Sequence, residues 1–250
     1  MHIQVQPDPS KPEGVLVSHI QAGRLCNKLL ISSVYALAAL KNNMYVSFSR
    51  YGTDFSLSLL EFLDDDKINI STEDTMEFST PEEILEYGFK DNRYFQCGKA
   101  ANFVYNNLPY IFRDNVINPT PINGVFVHMR LDDLADRFRM PKEYYERAIK
   151  SIPNLKNMRR VVSSSNPRSE KTLLEFARDF DFEIYEGNRE ETLKFGSRFT
   201  NKVLSHGTFS WFIGAMGCRN NIIYPEFGSS YWHDPSLFNI PNWTRLSYRN

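Results

Sequence analysis

Between residues 125 and 225, five short apolar runs alternate with stretches whose apolar residues recur at helical spacing, and no other feature narrows the possible architecture as far. Strands separated by a helix do not pair through a hairpin; each crossover brings the chain back in the same direction and builds a parallel sheet with helices on its faces. The runs are 125–128, 160–164, 182–185, 202–205 and 221–225. Between them, 141–152 places Tyr145, Ile149 and Ile152 on one helical face, and Asn166-Pro167 opens a helix carrying Leu173, Phe176, Ala177 and Phe180. Asn188 with Glu191 has the spacing of a capping box, and Thr208 caps a helix that runs to Gly217. The expectation is a doubly wound α/β sheet.

The first half opens in the same manner. Residues 15–20 read as a buried strand broken by Gln21-Ala22-Gly23, and 27–41 as a helix with Leu30, Val34, Leu37 and Ala38 on one face. A strand at 44–48 completes a βαβ unit, whose two strands should lie parallel. From Gly52 to Pro119 the pattern weakens: residues 67–71 read as a strand and 81–87 as a short helix begun by Thr80 and Pro81. Residues 115–123, with Pro119 and Pro121, read as a linker, so the expected halves are 1–118 and 119–250.

Charge and composition exclude several classes of function. Lys and Arg total 29 against 30 Asp and Glu, so no positive field gathers a nucleic-acid backbone. The Pro-rich opening does not have the form of a secretory signal, and the longest mostly apolar stretch, 29–40, is far shorter than the roughly 20 residues a membrane span needs, so a soluble, cytoplasmic protein is expected. Cys26, Cys97 and Cys218 are isolated from one another and from histidines, which predicts neither a disulfide framework nor a metal site.

Ligands of open parallel sheets bind at the carboxyl ends of the strands, so the residues following each strand are the ones to read for chemistry. Gly23-Arg24-Leu25-Cys26-Asn27 is a glycine turn entering a helix, whose N–H groups suit an anion or a sugar; an ordinary tight turn with a surface arginine fits the same residues. His128-Met129-Arg130-Leu131-Asp132-Asp133 follows an apolar strand. His128 and Arg130 alternate with Met129 and share a side, where an arginine fork suits a diphosphate; the competing reading is an Arg–Asp ion pair. In Ser205-His206-Gly207-Thr208-Phe209-Ser210-Trp211 a strand turns through Gly207 into a helix headed by hydroxyl residues. The N–H groups of Thr208, Phe209 and Ser210 then form a phosphate seat that needs no metal, or cap a helix whose aromatic residues pack in the core.

Taken in order, these stretches resemble the alpha-1,2-fucosyltransferase family and, at the first turn, protein O-fucosyltransferases. Gly23-Arg24-Leu25-Cys26-Asn27 resembles the family's glycine turn, with Cys26 in place of a second glycine. His128-x-Arg130-x-x-Asp133 matches an HxRxxD signature, with Leu131 where a second arginine often stands, and Tyr144-Tyr145-x-x-Ala148-Ile149 follows. Residues 205–215, SHGTFSWFIGA, resemble the family's Thr-Phe-Ser-Trp helix start.

The resemblance implies a GT-B fold of two Rossmann-like halves with parallel sheets facing a cleft. The implied activity is inverting, metal-independent transfer of fucose from GDP-fucose, the donor substrate, to a glycan hydroxyl, with no cofactor. Arg130 would hold the β-phosphate, helped by Gly207, Thr208, Phe209 and Ser210. His128 would touch the nucleoside, Asp133 would orient Arg130 or the acceptor, and Asn27, Arg24 and Gly23 would border the sugar from the other half. Asp133 and Glu186 are candidate bases. A different GDP- or UDP-sugar donor fits the same architecture, and a non-catalytic nucleotide- or glycan-binding module is the alternative from another class.

Overall fold

The computed structural model describes residues 15–17, 24–41, 44–47, 59–68, 95–131, 139–227 and 234–247. The chain divides into two compact units, residues 1–117 and 118–250.

In the first unit, strands β1 (Val15–Val17) and β2 (Tyr45–Ser47) pair in parallel, Val15 opposite Tyr45, and helix α1 (Leu25–Lys41) is the crossover between them. Leu, Ala and Ile run through α1 without glycine or proline, which favours the helix, and fourteen of its residues are buried. A helix apolar on all sides belongs inside its unit. Helix α2 (Gly98–Asn107) packs against α1, and a 3-10 turn (Leu108–Tyr110) leads to α3 (Asp114–Ile117). Residues 67 and 68, expected to open a strand, lie instead in a turn. The Lys67 ammonium fixes it there by donating to Phe112 O at 2.8 Å and Asp114 Oδ1 at 2.6 Å. The expected helix at 81–87 lies outside the described residues.

The second unit holds a six-stranded, wholly parallel sheet. Its strands are β3 (Ile122–His128), β4 (Arg159–Ser163), β5 (Glu183–Ile184), β6 (Phe199–Val203), β7 (Asn221–Pro225) and β8 (Thr244–Leu246). Their order across the sheet is β5-β4-β3-β6-β7-β8. The chain therefore winds outward from β3 in one direction, then restarts beside β3 and winds the other way, the doubly wound arrangement. The connecting helices are α4 (Lys142–Lys150), α5 (Lys171–Phe180), α6 (Arg189–Ser197) and α7 (Thr208–Ala215).

Alternation along β3 sorts the two faces. Val125, Val127 and Met129 enter a core with Tyr144, Tyr145, Ala148 and Ile149 of α4 and Leu173 and Phe176 of α5. Phe126 points the other way, against Phe195 of α6 and Phe199, with ring centroids 6.2 and 5.5 Å away. Asn188 and Glu191 do form the capping box of α6, each bonding the other's backbone N–H at 2.8 Å.

Several boundaries differ from expectation for local reasons. Asn166-Pro167 closes a turn, with Ser169 N–H bonded to Asn166 O, and α5 begins only at Lys171; proline suits the second position of a turn as well as the first turn of a helix. Gly207 rather than Thr208 is the N-cap of α7, and the helix ends at Ala215, two residues before Gly217 takes up a φ of +60°. Strand β6 begins at Phe199, so Lys202 lies within it. The sixth strand, β8, goes beyond the five expected.

Candidate functional site

Strand order reverses between β3 and β6, and the carboxyl ends of these two neighbours form the crevice where parallel sheets bind ligands. Residues after β3 and β6 meet there. Phe126 and Lys202 are register partners, so side chains at Phe126 and, by alternation, His128 and Arg130 lie on the face covered by α6 and α7.

His128 and Ser210 are buried, and His128 Nδ1 lies 2.6 Å from Ser210 Oγ. Ser210 Oγ also accepts from Ser205 N–H at 3.1 Å. The hydrogen of this contact lies on Oγ or on Nδ1 according to the imidazole's tautomer. The Phe209 ring lies against the imidazole, with centroids 4.9 Å apart. The first helical turn is thereby tied to the end of β3 by a hydrogen bond and a ring contact.

Arg130 reaches the same helix start. Gly207, at φ +90°, lies against the guanidinium so closely that a Cβ there would overlap Arg130 Nη1. The backbone conformation, which other residues adopt at a cost, favours glycine at this position, and a side chain there would have to displace the tip of the arginine. The leading N–H groups of α7, at Thr208, Phe209 and Ser210, have no carbonyl within the helix to bond, and the helix dipole adds partial positive charge at this end. A guanidinium beside the positive end of a helix is an arrangement that can receive an anion. Ser205 Oγ, fully buried beside this turn, has no hydrogen-bond partner among the described residues. An unmet buried hydroxyl is costly, and a ligand oxygen would satisfy it.

At the other end of α7 stands a residue that sequence reasoning passed over. Lys202 is fully buried, and its Nζ donates to Ile213 O at 2.8 Å and Met216 O at 2.9 Å, capping the carbonyl end of the helix. Burial lowers its pKa to about 7; the charge of Cys218 acts in the opposite direction and that of Arg219 in the same one. A lysine inside a buried strand, ahead of a helix with no basic residue in its last turn, was the available signal.

Gly23, Asp132 and Asp133 lie outside the described residues. Arg24 is exposed at the start of α1, and Asn27 Oδ1 accepts from Nε2 of the buried Gln96 at 2.8 Å, both within the first unit. Glu186, after β5, is exposed and paired with Arg168 Nε at 2.5 Å, which commits its carboxylate to a surface ion pair. Among the described residues no cluster of His, Cys, Asp and Glu could hold a metal ion, and no helix is long and apolar enough to cross a membrane.

No protein-family model matches the chain, and no curated protein does. Among solved structures, the chain is similar to E. coli heptosyltransferase WaaC with ADP at 14% sequence identity and a TM-score of 0.43, over 95% of this chain and 67% of that one.

Proposed function

We propose that the chain is a metal-independent, inverting glycosyltransferase whose donor is a nucleoside diphosphate sugar, GDP-fucose by the sequence resemblance. One observation carries this reading. At the switch point of a doubly wound sheet, the Arg130 guanidinium and the N-terminus of α7 are held together around Gly207, beside the buried hydroxyl of Ser205. Two positive groups meet where parallel sheets bind anions.

A sugar diphosphate seated here would place its β-phosphate against Arg130 and the N–H groups of Thr208, Phe209 and Ser210. As the acceptor oxygen bonds to the anomeric carbon, the bond from that carbon to the diphosphate breaks and its electron pair moves onto phosphate. Donors already aimed at that oxygen stabilise the growing charge without reorganising. The acceptor hydroxyl loses its proton to a base, for which the sequence offers Asp133. Direct displacement inverts the anomeric centre. The resemblance assigns Arg24 and Asn27 to the sugar and His128 to the nucleoside.

Thermal unfolding with GDP, UDP and ADP, each with and without EDTA, tests the reading. Ligand at about 100 times its Kd adds about 2.7 kcal/mol to the folded state. GDP is expected to raise Tm most, unchanged by EDTA. A shift that depends on Mn²⁺, or a clear preference for UDP, overturns the donor assignment.

A further inference from the structure

The exit of β6 shows how the anion seat is held in place. In a parallel ladder, a residue whose N–H bonds to residue j of the next strand accepts, through its own C=O, the N–H of residue j+2. Leu204 N–H bonds to Ile223 O at 2.8 Å, so the next rung should run from residue 225 to Leu204 O. Residue 225 is proline, within β7, and has no N–H. Leu204 is fully buried, and a carbonyl stranded there would be costly. The Tyr144 hydroxyl, fully buried on α4, donates to Leu204 O at 2.7 Å and lies 3.3 Å from Ile223 O.

We propose that Tyr144 is a positioning residue for the anion seat, its hydroxyl supplying Leu204 O with the rung that Pro225 does not provide. Leu204 is the last residue before Ser205, whose N–H holds Ser210 Oγ, and before Gly207, which faces Arg130. Fixing the Leu204 peptide therefore fixes where the chain leaves the sheet and where the first N–H groups of α7 point. Tyr144 approaches from the α4 face and acts through Leu204. The inference rests on the reading of this turn as a diphosphate seat.

Tyr144→Phe removes the hydroxyl and keeps the ring, while Pro225→Ala restores an N–H at the position that can bond Leu204 O. Wild type, both single variants and the double variant are compared in GDP titration and in amide hydrogen exchange over residues 204–210. Loss of one buried hydrogen bond at this hinge is expected to weaken GDP binding about tenfold and to speed exchange of the turn. Adding Pro225→Ala to Tyr144→Phe is expected to return affinity and protection to within about threefold of Pro225→Ala alone. This rescue separates positioning from general destabilisation, and the double variant supplies a folded background if Tyr144→Phe alone folds poorly. Unchanged GDP affinity and turn protection in Tyr144→Phe, whatever its Tm, overturn the proposal and leave the seat standing. A double variant no better than Tyr144→Phe overturns the missing-rung argument. A wild type that binds neither GDP nor pyrophosphate removes the seat itself, and the proposal with it.

Discussion

Replacing Lys202 by Met changes how stability depends on pH, and the size of the change follows from the burial of one amine. The folded amine titrates at about 7, against an ordinary value of 10.5. Between these values the unfolded chain carries a proton at this residue that the folded chain does not, so the lysine's contribution to stability rises with pH across that window. Each unit is worth about 1.36 kcal/mol once the folded amine is neutral, and at pH 7 it is half protonated, so from pH 7 to pH 9 the wild type should gain about 2.3 kcal/mol relative to Lys202→Met. Deprotonation leaves the bonds to Ile213 O and Met216 O intact, because a neutral amine keeps two N–H groups for two carbonyls. All three tryptophans, Trp211, Trp232 and Trp243, belong to the second unit, so urea unfolding followed by tryptophan fluorescence reports the unit that contains Lys202. Taking the difference between the two proteins at each pH cancels the titration of other groups. A difference that stays constant from pH 6 to pH 9 would refute the argument, since it would mean that Lys202 holds its proton in both states.

Gly207→Ala forces a side chain into a positive-φ position and into the Arg130 guanidinium; about 1–3 kcal/mol of strain and a loss of GDP binding are expected from urea unfolding and titration. Arg130→Lys keeps the charge and loses the fork. Release of GDP from GDP-fucose should fall on the order of 10²–10³-fold with Tm unchanged, and a folded variant retaining more than about half of wild-type turnover would remove Arg130 from the mechanism. Asn188→Ala breaks the capping box of α6 and should lower stability by about 1 kcal/mol while leaving GDP affinity as it was.

The sheet of the second unit was legible because its strands are apolar runs separated by helical spacing, and Gly207 and Arg130 were legible as members of the turns that follow two of those strands. Proximity between those turns was not written in either motif; it comes from β6 pairing with β3 rather than with β5, and only the sheet order shows it. Strand β8 escaped notice because Thr244–Leu246 is too short to alternate, and it is held as a strand by pairing with Ile223, Tyr224 and Pro225. Lys202 was read as the start of a strand, and Tyr144 as part of the Tyr144-Tyr145-x-x-Ala148-Ile149 stretch of the family resemblance. Their roles depend on carbonyls left unmet elsewhere, at the end of α7 and beside Pro225, which become visible only when every backbone group is followed to its partner.

The pairing of β3 with β6 also sets when the site can come into being. Gly124 of β3 and Thr200 of β6 bond across a separation of 76 residues, so β3, β4 and β5 with their helices leave the ribosome well before the strand that completes the centre of the sheet. During that interval one long edge of β3, apolar and without proline, faces the cellular milieu as an open template. Synthesis speed over residues 129–199 therefore governs how long a nascent chain is exposed to wrong partners, and a synonymous pause placed there would lower the yield of folded protein while leaving the properties of every molecule that does fold unchanged.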